Sequence, residues 1–160
     1  MPIDLLVRPS ARAAVSAAAG RALKTRVAAA LRALGRGRSS ASLLLTDDVE
    51  IRELNRTYRH HDRATDVLSF HLQELDGESD PAGDGINLGD IVISVQTARR
   101  RSAGKRLSDE LARLAIHGLC HLFGHDHKHP GEAKVMFALE RQLRLKSRPP
   151  ARATSRSSRS

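Results

Sequence analysis

The feature that most constrains this chain is a run of histidines between residues 117 and 127. His117 and His121 are four residues apart, so on a helix both imidazoles lie on one face, one turn apart. Gly124 can adopt the left-handed conformation that ends a helix and turns the chain back, which can bring His127 to the same point. The pattern predicts three imidazoles around one zinc ion, with a fourth coordination position left open for chemistry.

Other polar residues of this stretch are weaker candidates. His125 and His129 are interpreted as solvated neighbours, although either could take the place of a ligand. Asp126 could orient a ligand imidazole by accepting its second N–H. Cys120 could face the site, but a buried apolar role fits it better. It is the only cysteine, so no internal disulfide forms, which fits a reducing cytoplasm.

The histidine spacing is that of the metzincin proteases, H-E-x-x-H-x-x-G-x-x-H. In this chain Gly118 occupies the position of the glutamate, which is the general base of those proteases. Glycine cannot accept a proton. Peptide hydrolysis is therefore disfavoured, and the site requires a different substrate.

The net charge of +9 and the pI near 10.9 favour a polyanionic partner, most simply a nucleic acid. A generally arginine-rich proteome would give the same balance without such a partner. Because aromatic residues are only 2% of the chain, we expect phosphate contacts by Arg and Lys rather than base stacking. No apolar run is long enough to span a bilayer, so no membrane partner is expected.

Hydrophobic periodicity predicts one domain over residues 1–146 that alternates strands and helices. The predicted strands are 1–7, 41–46, 67–70 and 88–94, of which the last is apolar enough to be central and buried on both faces. The predicted helices are 11–34, 49–58, 95–104, a histidine-bearing helix with Ser108 as N-cap, and 132–145. Pro130 and Gly131 are expected to break the chain before the last helix.

Three segments have open interpretations. Residues 75–85 are expected to form an exposed acidic loop. The basic residues between Arg99 and Arg106 form either a solvated helix end or a phosphate-contact patch. Residues 147–160, rich in Arg and Ser, are expected to be a disordered tail that either adds salt-dependent affinity for RNA or does nothing specific. The arginine-rich start fits the fold better than a transit peptide.

Three blocks of the sequence resemble motifs of the YbeY family, bacterial endoribonucleases of ribosomal RNA maturation. They are the histidine stretch, the segment Asn55-x-x-Tyr58-Arg59-x-x-Asp62-x-x-Thr65-Asp66-Val67-Leu68-Ser69-Phe70, and Leu88-Gly89-Asp90-Ile91-x-Ile93-Ser94. The resemblance covers residues 3–145. It departs from the family pattern at four positions, none of which is a predicted ligand: Ala64, His71, Cys120 and His125.

The resemblance implies an α+β, zincin-like fold: a mixed sheet of four to five strands layered with helices, with a metal site on a helix and the following turn. It implies that His117, His121 and His127 bind one zinc ion. It also implies that Arg59 is catalytic, holding the scissile phosphate as a bidentate donor and stabilising its developing charge. Zinc would polarise a phosphate oxygen, activate a water, or both.

The substrate implied by the resemblance is single-stranded precursor ribosomal RNA, notably the 3′ end of the small-subunit (16S) RNA. A role in ribosome quality control follows, with a small-subunit ribosomal protein and an assembly GTPase as partners. Neither Asp90 nor Asp126 is placed well enough by sequence to be named the general base. Two alternatives remain open: a non-catalytic RNA-binding assembly factor with a structural zinc, and, more remotely, a metalloprotease-like hydrolase.

Overall fold

The computed structural model describes residues 3–72, 87–123 and 130–149, with the side chains of 130–137 left out. The strands within these ranges are β1 (Ile3–Val7), β2 (Ser40–Thr46), β3 (Val67–His71) and β4 (Asn87–Ser94). The helices are α1 (Ala17–Ala33), α2 (Asp48–Arg59), α3 (Val95–Arg101), α4 (Leu107–Leu122) and α5 (Pro130–Lys146). A short 3-10 turn, Pro9–Ala11, follows β1.

The four strands form one mixed sheet in the order β1-β2-β4-β3. The pairs β1–β2 and β2–β4 are parallel, whereas β3 runs antiparallel to β4 along one edge. Strand β4 is an interior strand, and it is buried on both faces apart from Asn87 and Asp90. The predicted α+β class with a mixed sheet and a central 88–94 strand is confirmed.

One face of the sheet is covered by helices. Because side chains alternate along a strand, every second residue points towards α1 and α4. These inward side chains belong to the main core and are Ile3, Ala41, Leu43, Leu45, Ile91 and Ile93. Leu31 of α1 and Ile116 and Leu119 of α4 pack in the same core and are fully buried. Helix α4 is therefore fixed against the sheet along its apolar side.

The opposite face of the sheet is only partly covered, by α2. A groove of about 620 Å³ remains there, lined by side chains of all four strands and of α2. Leu6, in the wall of this groove, is 53% exposed. Arg59, Phe70 and Asp90 also line it, so the predicted catalytic arginine lies on the open side of the sheet.

Two predicted helix starts are wrong. Helix α1 begins at Ala17 and not at residue 11, because the Ser16 hydroxyl caps it by accepting the Ala19 N–H at 3.1 Å. Helix α4 begins at Leu107 with Arg106 as N-cap, so Ser108 already lies in its first turn and makes no cap.

Two predicted helix breaks also differ from the structure. Pro130 begins α5 rather than interrupting the chain before it, since proline in a first turn has no N–H to lose to the helix. Helix α3 ends at Arg101 rather than at residue 104, because Ala103 and Gly104 both adopt positive φ and reverse the chain.

Two expectations lie wholly or mostly outside the described residues: the acidic loop 75–85, and the tail from residue 150 onward. At the start of the predicted tail, Ser147 is buried and its N–H donates to the Leu143 carbonyl at 2.9 Å. The division into a domain 1–146 and a tail 147–160 stays a prediction. Across the ranges that can be examined, none of the helices has the length and apolar character needed to cross a bilayer.

Candidate active site

Helix α4 holds His117 and His121 against each other on one face. Their Nε2 atoms are 3.1 Å apart, and their ring centroids are 4.6 Å apart with the planes at 73°. The i, i+4 spacing produces this approach, because residues four apart on a helix are neighbours. The predicted pairing of these two imidazoles in space is therefore present, with their Nε2 atoms in contact.

A buried carboxylate fixes the orientation of the first imidazole. Glu140 of α5 contacts the Nδ1 atom of His117 and has only 8% of its side chain exposed. A carboxylate at Nδ1 favours the tautomer that has its proton on Nδ1 and its lone pair on Nε2, which is the form that binds a metal through Nε2. Glu140 was not among the residues predicted from the sequence. The available signal is its position between Leu139 and Leu143, on the side of α5 that should be apolar.

The donor set fits a zinc ion as far as it is described. Two imidazole nitrogens at about 2.1 Å from a tetrahedral zinc lie roughly 3.4 Å apart, close to the observed 3.1 Å separation of the Nε2 atoms. The partner carboxylate at Nδ1 is the usual companion of a zinc-bound histidine. The third predicted ligand, His127, lies outside the described residues, as do His125, Asp126 and His129. The full ligand set stays a prediction.

Gly118, next to the first histidine, lies where α4 touches the sheet. A Cβ atom placed on it would be 2.7 Å from Ile91 Cγ2 and 3.0 Å from the Ser69 hydroxyl. That hydroxyl donates to the Gly118 carbonyl at 3.1 Å. The protease glutamate is therefore not only missing at this position but also sterically excluded, because the sheet occupies the space of its side chain.

Arg59 is the last residue of α2 and packs against the edge strand. Its Nη2 donates to the Ser69 carbonyl at 2.7 Å, and its guanidinium lies over the Phe70 ring, 5.1 Å from the centroid. Tyr58 meets the same ring edge-on, with centroids 5.4 Å apart. The two aromatic rings and the arginine thus form one cluster at the groove, although the sequence suggested no aromatic platform.

Strand β3 connects the arginine to the histidine helix. The Leu72 N–H donates to the Leu88 carbonyl of β4, and the Ser94 N–H of β4 donates to the Asp66 carbonyl. Because hydrogen-bonded positions alternate along an antiparallel ladder, Ser69 lies at a position whose N–H and C=O point away from β4. Ser69 offers its carbonyl to Arg59 and its hydroxyl to Gly118. One strand residue therefore contacts both predicted functional elements.

The motif between Asn55 and Asp66 has a structural explanation. Asn55 is buried, its side-chain amide donates to the Arg63 carbonyl at 2.9 Å, and its own carbonyl accepts the His61 N–H at 3.2 Å. His60 ends α2 in the left-handed conformation. Asp66 accepts the Val67 N–H at 2.8 Å. These bonds hold the turn after α2 in place. They therefore fix the position of the Arg59 guanidinium at the end of the helix.

The other end of α2 is anchored by acidic residues. Asp47 caps the helix, and the Glu50 N–H that it accepts at 2.9 Å lowers the pKa of the Asp47 carboxyl. Burial alone would raise the pKa of Asp48, but hydrogen bonds from Ser94, Thr97 and Arg100 outweigh it and leave the pKa below its usual value. Arg100 therefore contributes to holding α2 in place.

Cys120 is fully buried in the core, as the sequence suggested, and it does not belong to the site. Burial, with a smaller contribution from the Glu140 carboxylate, raises the pKa of its thiol to about 12. Asp90 lies in the groove with Arg59. Among the described residues, no group of three His, Cys, Asp or Glu side chains is arranged to hold a metal by itself.

Fold and site together define a class: α+β proteins in which a helix-borne histidine pair lies beside the edge strand of a mixed sheet. The chain belongs to the endoribonuclease YbeY family, whose sequence profile matches residues 11–147. By this membership the chain is an enzyme of the endoribonuclease class, which cleaves phosphodiester bonds within RNA.

Individual relatives agree with this assignment. The endoribonuclease YbeY of Anaeromyxobacter dehalogenans is 45% identical over 141 residues, covering 87% of this chain and 70% of that protein. The endoribonuclease YbeY of Aquifex aeolicus is 49% identical over 110 residues, covering 68% of this chain and 69% of that protein. The solution structure of TM1509 from Thermotoga maritima matches with a TM-score of 0.57 at 24% identity, covering 91% and 88% of the two chains. That likeness supports the fold.

Proposed function

We propose that this chain is a zinc-dependent endoribonuclease that cuts single-stranded precursor ribosomal RNA in the cytoplasm. Processing of the 3′ end of 16S RNA and ribosome quality control are the roles we assign to it. The observation that carries the proposal is the imidazole pair of His117 and His121, oriented by buried Glu140 and joined through Ser69 to Arg59. A small-subunit ribosomal protein and an assembly GTPase would be its partners.

The residues of the site have separate tasks. His117, His121 and His127 would hold one zinc ion, which when bound supplies a Lewis acid for phosphodiester chemistry. Glu140 keeps the proton of His117 on Nδ1. Arg59, at the groove and always charged, offers N–H donors to a phosphate. Gly118 supplies no base at the position that the protease glutamate occupies, so proton acceptance has to occur elsewhere than in the proteases.

Glu140 gives the first prediction. We expect Glu140→Gln to weaken zinc binding by about 10- to 100-fold, because an amide holds the Nδ1 proton less strongly and leaves His117 a poorer ligand. The zinc dissociation constant, measured by competition with a chromophoric chelator, reports this directly and does not depend on activity.

The matched control is Glu53→Gln, which removes an exposed carboxylate from α2. It should leave the zinc dissociation constant unchanged. If Glu140→Gln and Glu53→Gln bind zinc equally well, and both unfold at the wild-type temperature, Glu140 has no part in orienting the ligand.

The non-catalytic alternative, an RNA-binding assembly factor, draws support from the contacts of Arg59. An arginine with a purely structural role would also donate to the Ser69 carbonyl and pack over the Phe70 ring. The alternative predicts that Arg59 can be replaced without loss of function. Cleavage of RNA by an Arg59 variant therefore separates the two proposals.

We expect Arg59→Ala to reduce the cleavage rate of a labelled single-stranded ribosomal RNA fragment by about 10²- to 10³-fold, as the loss of one donor to a developing charge does elsewhere. Arg59→Lys should recover only part of the rate, because an ammonium is not a bidentate donor. Arg63→Ala is the control, since Arg63 is a nearby exposed arginine. Equal cleavage by Arg59→Ala and Arg63→Ala would favour the assembly factor.

A further inference from the structure

A basic concavity lies at the end of α4 opposite to the histidine pair. Its volume is about 530 Å³, and seven cationic side chains but only two acidic ones line it. The cations come from α1, from the turn before α4, from α4 and from the last part of α5. Residues that are distant in the sequence therefore bring positive charge to one concavity. No part of the proposed mechanism uses this concavity.

Both acidic side chains of the concavity already have partners. Glu110 is buried and pairs with Arg113 at 2.7 Å, and Asp109 lies 3.4 Å from Arg26. Arg106, Arg141 and Arg148 are exposed, and within the residues described here none of the three has a carboxylate within 4.0 Å. Their charges are thus available to an external anion.

Two donors in the wall of the concavity also lack an acceptor. The Nε atoms of Arg26 and Arg144 are buried, and neither has a hydrogen-bond partner in the described part of the chain. An unsatisfied buried donor costs free energy. Both side chains line the concavity, so an anion bound there would lie beside two guanidinium groups whose donors are not all satisfied.

The concavity leads to the candidate active site along one helix face. Arg113, His117 and His121 follow one another at spacings of four residues, which places them on one side of α4, and Arg106 is the N-cap seven residues before Arg113. From the helix rise, Arg106 is about 16 Å from His117 along the axis. Arg141 follows Glu140 on α5, so this helix also extends from the concavity to the histidine pair.

We infer that this basic concavity binds the sugar-phosphate backbone of the RNA substrate beyond the cleavage point, so that the strand runs along α4 and α5 to the histidine pair. A strand of regularly spaced phosphates matches cations arranged along a helix, whereas a single small anion would use only a few of them. This inference rests on the proposed function, since it takes RNA as the substrate. It assigns the contact to phosphates, without base recognition.

The test compares two variants of equal charge. Arg106→Gln/Arg141→Gln/Arg148→Gln removes three exposed charges from the concavity. Arg12→Gln/Arg21→Gln/Arg32→Gln removes three exposed charges that do not line it. Binding of a long fluorescein-labelled oligouridylate to the zinc-loaded full chain is followed by fluorescence anisotropy over a range of salt concentrations. A gel confirms that the probe stays intact, and circular dichroism confirms that both variants are folded.

We expect the concavity variant to raise the dissociation constant by more than about tenfold at low salt, and to reduce the slope of log affinity against log salt by about 2, from three lost phosphate contacts. The control variant should bind close to the wild type. If both variants lose RNA affinity equally, the effect is one of general charge. If neither loses affinity, RNA does not enter the concavity. Either result overturns the inference. If wild type binds the oligouridylate with the expected difference but, in a separate assay, fails to cut a single-stranded ribosomal RNA fragment, the proposed function fails and the inference stands.

Discussion

Replacing both His117 and His121 by alanine is expected to abolish zinc binding and to reduce RNA cleavage by about 10⁴-fold or more. The Nε2 atoms of the pair converge to 3.1 Å, so removing both leaves at most one of the three predicted ligands. A metal Lewis acid supplies several kcal/mol to a transition state, and each 1.36 kcal/mol is a factor of ten in rate. The measurements are metal content by mass spectrometry and cleavage of a labelled single-stranded ribosomal RNA fragment.

The control is His61→Ala, which removes an exposed histidine outside the predicted ligand set. It should retain one zinc ion per chain and the wild-type rate. Both proteins need to be folded by circular dichroism, because the histidine helix is part of the core. If the double variant cuts RNA as fast as wild type, the activity comes from a contaminating nuclease, and the assembly-factor alternative becomes the better account.

Gly118→Ala is expected to destabilise the protein even though alanine is the better helix former. The new Cβ would lie 2.7 Å from Ile91 Cγ2, in a core where neighbouring atoms cannot move aside freely. Overpacking of this kind costs about 1–3 kcal/mol, and the gain in helix propensity offsets up to about 1 kcal/mol of it. Gly118→Glu, which would restore the protease base, should not give a stable fold. Thermal and denaturant unfolding measure both changes.

Gly20→Ala provides the matched control, since Gly20 is also a buried helical glycine. Its added Cβ would approach only the end of the Leu5 side chain, at 3.2 Å. Stability should change little. A second check is the double variant Gly118→Ala/Ile91→Ala, which should cost less than the sum of the two single changes, because removing the isoleucine branches relieves the contact. Strict additivity would show that the Ile91 contact is not the cause.

The parts of the fold that follow from local patterns could be predicted from the sequence. The i, i+4 pairing of His117 and His121 needs only helix geometry, and the interior position of β4 follows from its continuous apolar run. The start of α1 could not be placed in the same way, because an alanine-rich segment has helix propensity on both sides of Ser16. There the cap, and not the propensity, decides where the helix begins.

Contacts between distant segments could not be predicted from the sequence. Glu140 reaches His117 across 23 residues, and Ser69 reaches Gly118 across 49 residues. Each is an ordinary polar residue within its own helix or strand, so no local pattern marks its partner. Arg59 was named through resemblance alone, and its bond to the Ser69 carbonyl depends on how β3 and α2 pack together.

Ser69 contacts both Arg59 and Gly118, so an error in the pairing register of β3 would affect both at once. Sliding β3 by one residue against β4 would turn the serine hydroxyl to the open face and drive the Phe70 ring towards Gly118, where there is no room for it. The arginine would lose the Phe70 ring beneath it at the same moment as the histidine helix lost its support. A misregistered chain would therefore lose the seat of Arg59 and the packing of the histidine helix in one step, so an error confined to this strand would reach both parts of the candidate active site.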